Sequence, residues 1–141
     1  MKVTLKQINQ IAQELQSGLQ VFINRADFEM RSIIDPDNSF GDNEFWDEEL
    51  EKIENEWTDY VIITKMDSRD EFEIMEAFVD EINDLTLRGD LVKILHRKSP
   101  FANFKAEIDL SSYRKKWFEF RQMKYEIYVK ELLILDKIEI E

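Results

Sequence analysis

Cysteine is absent from the 141 residues, and disulfides, thiolate nucleophiles and thiolate metal sites go with it. Histidine occurs once, as His96 beside Arg97 and Lys98. A Ser-His-Asp arrangement would have to use that residue, and no Gly-x-Ser-x-Gly elbow presents a nucleophile to it. The expected role of His96 is at a helix end, where its charge complements the C-terminal dipole. With one histidine and no cysteine, zinc lacks its preferred ligands. The three glycines, Gly18, Gly41 and Gly89, are too few and too scattered for a P-loop or a dinucleotide fingerprint. The stretch Asp35-Pro36-Asp37-Asn38-Ser39-Phe40-Gly41-Asp42 resembles a calcium loop only superficially. Its sixth and twelfth places hold Phe40 and Trp46, where an EF-hand needs glycine and glutamate. It reads as a turn, and neither a metal nor a cofactor is expected. No apolar run exceeds four residues, against the roughly 20 that span a bilayer. The N-terminus turns polar too soon for a signal peptide. A cytoplasmic chain without membrane association is the expectation.

What is present suffices for a core. Leu, Ile, Val and Phe make up 44 of the 141 residues, well above the share of about 20% below which chains stay disordered. The length suits one domain over residues 1–141, since domains cluster at about 100–150 residues. The net charge is −12, unevenly placed. Residues 35–85 carry 19 acidic and 3 basic groups, whereas residues 86–141 carry 12 basic and 9 acidic groups. Such a field repels nucleic-acid phosphates and favours basic partners or cations.

Periodicity sets the elements. Leu5, Ile8, Ile11, Ala12 and Leu15 recur at helical spacing behind a Thr4/Gln7 capping box, and Gly18 stands at the C-cap, so residues 4–17 are expected to be a helix. Leu19, Val21 and Ile23 alternate with Gln20, Phe22 and Asn24. Phe28, Met30 and Ser32 alternate with Glu29, Arg31 and Ile33. Together they predict a β-hairpin over 19–34. Trp46, Leu50, Ile53 and Trp57 share one face of a short helix near 44–56. Tyr60-Val61-Ile62-Ile63-Thr64 predicts a third strand, within 59–64, that pairs with the hairpin. Helices follow: one capped by Ser68 and Glu71, one through Leu87, Leu91, Ile94 and Leu95 interrupted by Gly89, and a short one starting at Ser99-Pro100 with Phe101, Phe104 and Ile108 inward. A long final helix follows Ser111 or Ser112. It is lined by Tyr113, Trp117, Phe118, Tyr125, Tyr128, Val129 and Leu132 and runs to about residue 135. The tail Ile138-Glu139-Ile140-Glu141 reads either as a short strand or as disorder. The fold class is α+β: a small antiparallel sheet of about three strands with an N-terminal helix and a C-terminal run of helices.

The segment Ser99-Pro100-Phe101-Ala102-Asn103-Phe104-Lys105-Ala106-Glu107-Ile108-Asp109, followed by Tyr113-Arg114-Lys115-Lys116-Trp117-Phe118-Glu119-Phe120, resembles the C-terminal signature of an uncharacterised bacterial protein family of the UPF type. The resemblance extends over nearly the whole chain in the order of its elements. It implies a fold but no activity and no site residue. The chain departs from the pattern at Gly89 and in a hairpin turn without Thr-Gly.

Three functional readings remain. The first is a non-enzymatic interaction module whose acidic surface meets a basic protein, through Phe45, Trp46, Glu48, Glu49 and Trp57. Aromatic anchors within a charged rim are the usual make-up of interfaces. The second is weak nucleic-acid binding through residues 113–125, where Arg114, Lys116, Arg121 and Lys124 interleave with aromatics. Against it stand the overall negative charge and the simpler reading that the aromatics face a core while cations cover its rim with their stems. The third is a carboxylate-based hydrolase, which needs two acids converging in a concave pocket; with 31 acids, sequence spacing says nothing about which.

Overall fold

The computed structural model describes residues 2–34 and 60–141. The helix expected near 44–56, and with it Phe45, Trp46, Glu48, Glu49 and Trp57, lies outside them. The chain divides into two compact units, one comprising the residues up to Lys65 together with Tyr125–Glu141, the other Met66–Lys124.

The first unit begins with α1 (Leu5–Gln16). The capping box forms as expected: the Gln7 N–H donates to Thr4 Oγ1 at 3.1 Å and the Thr4 N–H to Gln7 Oε1 at 2.9 Å. Each bond satisfies an otherwise orphaned donor of the first turn. Ile8, Ile11, Ala12 and Leu15 are buried, but Leu5, expected in the same stripe, is exposed. It occupies the first helical position, at the end of the buried stripe. Gly18 takes φ 90°, the left-handed conformation that glycine reaches without penalty.

Strands β1 (Leu19–Asn24), β2 (Met30–Ile34) and β3 (Tyr60–Ile63) form an antiparallel sheet in the order β2-β1-β3. The expected pairing of the third strand with the hairpin is present. Because β1 lies centrally, Val21, Phe22 and Ile23 are all buried; the two-fold alternation had set Phe22 apart with Gln20 and Asn24. Phe22, Ile33 and Tyr60 cluster on one face. On the other face the Ser32 hydroxyl donates to the Glu14 carboxylate of α1.

The second strand starts later than its alternation suggests, because Phe28 belongs to the turn. Its φ is 58°, and its N–H donates to the Asn24 carbonyl at 2.8 Å. Asn24 and Asp27 side chains accept from Ala26 and Glu29 N–H groups at 2.8 and 2.9 Å. Such side-chain bonds let Asx residues shape a turn that has no glycine.

The second unit contains α2 (Ser68–Asp80), α3 (Leu85–Leu95), α4 (Pro100–Asp109) and the first half of α5 (Arg114–Leu135). The cap of α2 is Asp67, one residue ahead of Ser68, accepting from the Asp70 N–H at 2.8 Å. An aspartate there adds a negative charge at the positive end of the dipole. Asp84 caps α3 with bonds to the Thr86 and Leu87 N–H groups at 3.0 and 3.1 Å. His96 stands at its C-cap, as expected, with Nδ1 2.8 Å from the Val92 carbonyl. Ser99 does precede α4, yet it has φ 54° and makes no side-chain cap bond; Pro100 at the first helical position sets the start instead.

Gly89 lies inside α3, where an added Cβ would meet nothing within 4 Å. Gly89→Ala should therefore raise stability by about 0.5–1 kcal/mol, the helix-propensity and chain-entropy difference. A shift of the urea midpoint to higher concentration at unchanged slope checks it.

The end of α5 is a Schellman motif. The Ile138 N–H donates to the Leu133 carbonyl at 2.9 Å and the Lys137 N–H to the Ile134 carbonyl at 3.0 Å. Lys137 occupies the left-handed position with φ 62°, which glycine usually takes. Lys137→Gly should stabilise the chain by about 0.5–1 kcal/mol by removing the Cβ penalty. A calorimetric melting temperature that falls instead would refute the assignment.

Candidate functional site

Among the described residues, two of the clefts lie within the second unit. The first, of about 340 Å³, lies between α2, α4 and α5 and is lined by Glu71, Ile74, Met75, Phe101, Phe104, Lys105, Trp117 and Arg121. Its floor is aromatic: Phe104 meets Trp117 edge-on at a centroid distance of 5.0 Å. Phe104 and Ile108 are buried as expected, but Phe101 is 41% exposed. It stands one turn before Phe104, at the start of α4, and rests against Phe72 at 6.5 Å. Arg121 donates to Glu71 Oε1 at 3.1 Å, with both side chains about three-quarters buried (30% and 24% exposed).

The second cleft, of about 500 Å³, separates the α2–α3 corner from α5. Phe78 and Ile82 lie at its base, Glu81 and Asn83 on one wall, and Tyr113, Lys116, Glu119, Phe120 and Met123 on the other. Phe78 and Phe120 pack with centroids 5.3 Å apart. The Lys116 ammonium lies 5.3 Å from the centre of the Tyr113 ring, and that of Lys124 5.4 Å from Phe120. Both distances fall within the range where a ring's negative face attracts a cation.

The four cations proposed for nucleic acid are thus dispersed. Arg114 bonds Asp109 at 3.3 Å and covers the Phe118 ring at 4.9 Å. Arg121 points into the first cleft, Lys116 into the second. Phe118 is exposed, and so is not the core residue its spacing suggested. The buried stripe of α5 runs through Trp117, Tyr125, Val129 and Leu133, with Leu133 replacing the expected Leu132.

The outward face of α2 carries Glu73, Glu76 and Asp80, all exposed. Their i,i+3 and i,i+4 spacing sets them in one row, on the side opposite the cleft-lining Glu71, Ile74 and Met75. Arg69 approaches Glu73 at 3.7 Å and Arg88 approaches Asp80 at 3.6 Å. Exposed pairs at such distances are worth about 0–1 kcal/mol. No three His, Asp or Glu side chains among the described residues converge as a metal would require, and none of the described helices is long and apolar enough to cross a membrane.

The sequence pattern of the Uncharacterised protein family (UPF0158) matches residues 4–140. The chain belongs to that family. Neither a curated protein nor a solved structure matches it. Family membership agrees with the resemblance drawn from the C-terminal segment, and it brings no activity with it. This UPF0158 member has an α+β architecture.

Proposed function

We propose that the chain is a non-enzymatic, cytoplasmic interaction module whose acidic surface receives a basic protein partner. The observation that carries this reading is the exposed row Glu73, Glu76 and Asp80 on α2, relieved among the described residues by the edge contacts of Arg69 and Arg88. Like charges at this spacing destabilise a helix by a few tenths of a kcal/mol per pair, and a basic partner would turn that repulsion into attraction. The row continues a longer bias, since residues 35–85 carry 19 acidic against 3 basic groups. Phe45, Trp46, Glu48, Glu49 and Trp57 stand within that stretch as candidate anchors and rim. Nucleic acid is the weaker partner, because the same field repels phosphates.

Affinity capture from lysate at low and high salt tests the reading. The chain should retain basic proteins at low salt and release them at high salt, as screening shortens from about 10 Å at 0.1 M to about 3 Å at 1 M. The triple substitution Glu73→Lys, Glu76→Lys and Asp80→Lys should abolish capture while the circular dichroism spectrum is kept. No captured protein at either salt would sink the reading.

A further inference from the structure

We propose that the second cleft, at the α2–α3 corner, receives an arginine or lysine side chain of the basic partner; this rests on the basic-partner reading above. Three observations converge on a cationic ligand with an apolar stem. The base of the cleft is apolar, formed by Phe78 and Ile82, both buried. Methylene stems of Lys and Arg lie well on such surfaces while their heads stay polar. Second, Glu81 and Glu119 both line the cleft, and among the described residues neither has an ion-pair partner. A guanidinium or ammonium entering the cleft would meet a carboxylate on either wall, and a contact to each would be charge-assisted. Third, the chain's own cations already show what the walls attract, since Lys116 stacks on Tyr113 and Lys124 on Phe120. Lys116 therefore acts as an internal competitor for the ring face that an incoming cation would use. Of the two clefts, the first is the poorer host for a cation, because Lys105 and Arg121 outnumber Glu71 in its lining, whereas Glu81 and Glu119 outnumber Lys116 in the second.

The test is a titration of the full chain with acetyl-tetra-arginine amide, followed by amide chemical shifts and calorimetry. The peptide in which citrulline replaces arginine serves as the uncharged control. The arginine peptide should perturb the amides of Glu81, Ile82, Asn83, Tyr113 and Phe120, and the citrulline peptide should not. Glu81→Gln with Glu119→Gln should weaken binding about tenfold, the scale of two exposed charge contacts. Lys116→Gln should strengthen it more than Lys105→Gln, which removes the same charge at the other cleft. Shifts confined to α2's outward face, with binding lost in Glu73→Gln/Glu76→Gln and kept in Glu81→Gln/Glu119→Gln, would overturn the cleft assignment and leave the basic-partner reading standing. Equal binding of the arginine and citrulline peptides, or none of either, would overturn both.

Discussion

Phe104→Ala should cost about 3–5 kcal/mol in urea or guanidinium unfolding, the range for removing a fully buried aromatic ring. Phe104 is 1% exposed. Its ring meets Trp117 edge-on at 5.0 Å, and Ile108, one turn on, is fully buried. Helix α4 has only ten residues, too short to persist by itself. It is held by this buried side, so the lost ring removes both transfer free energy and the main reason for α4 to stay docked. The neighbouring Phe101 provides the internal control. At 41% exposed, it should cost clearly less when truncated to alanine, because much of its ring already meets water. A loss below about 1 kcal/mol for Phe104→Ala would show that the ring is not a core element. Equal losses at both positions would show that the two rings are buried alike.

The contrast between these two phenylalanines also marks how far the sequence can be read. Local rules did well where their reach is three or four residues. The Thr4/Gln7 box, the Pro100 helix start and the His96 helix end all depend on neighbours along the chain, and each is where the pattern placed it. Periodicity also recovered α1, the hairpin, the third strand and the α+β class. It failed where burial depends on a partner element. Phe101 and Phe104 are three residues apart and on one side of α4, yet only the second is reached by Trp117. Phe22 alternates with Val21 and Ile23 as if it faced away from the core; the central place of β1 buries it as well. Phe28 fits a strand by alternation, but the Asn24 and Asp27 side chains close the turn around it. The candidate site was legible only in its ingredients. That Glu81 and Glu119 line one cleft, 38 positions apart in the chain, follows from the packing of α5 against the α2–α3 corner, and no spacing rule contains it. The cations of residues 113–125 interleave with aromatics in the sequence, and helical rotation sends Lys116 and Arg121 to different clefts.

Ending the chain at Lys137 should destabilise it by about 3–6 kcal/mol, since two apolar side chains lose their cover at about 1.5–3 kcal/mol each. The tail, readable from its alternation as either strand or disorder, is paired. Val3 and Ile140 form a parallel bridge, with the Val3 N–H donating to the Glu139 carbonyl and the Glu141 N–H to the Val3 carbonyl, both at 2.9 Å. Val3 is fully buried and Ile138 is 6% exposed. Shortening the chain removes Ile138 outright and uncovers Val3. It also leaves the two hydrogen bonds of the bridge unmade, although water can replace those at the new edge. The Schellman bond from Ile138 to the Leu133 carbonyl goes too, so the last turn of α5 should fray. Glu139→Ala separates the contributions: its side chain is exposed, its backbone bond remains, and its cost should stay within the roughly 0.5 kcal/mol of an ordinary surface change. Ile138→Ala should recover much of the truncation's effect, about 2–4 kcal/mol, by removing the buried side chain and leaving the bridge intact. Equilibrium unfolding of the three variants, with amide exchange at Val3, gives the comparison. If the shortened chain is as stable as the full one and Val3 exchanges no faster, the tail does not hold the segment before α1, and the core of the first unit ends at Leu133.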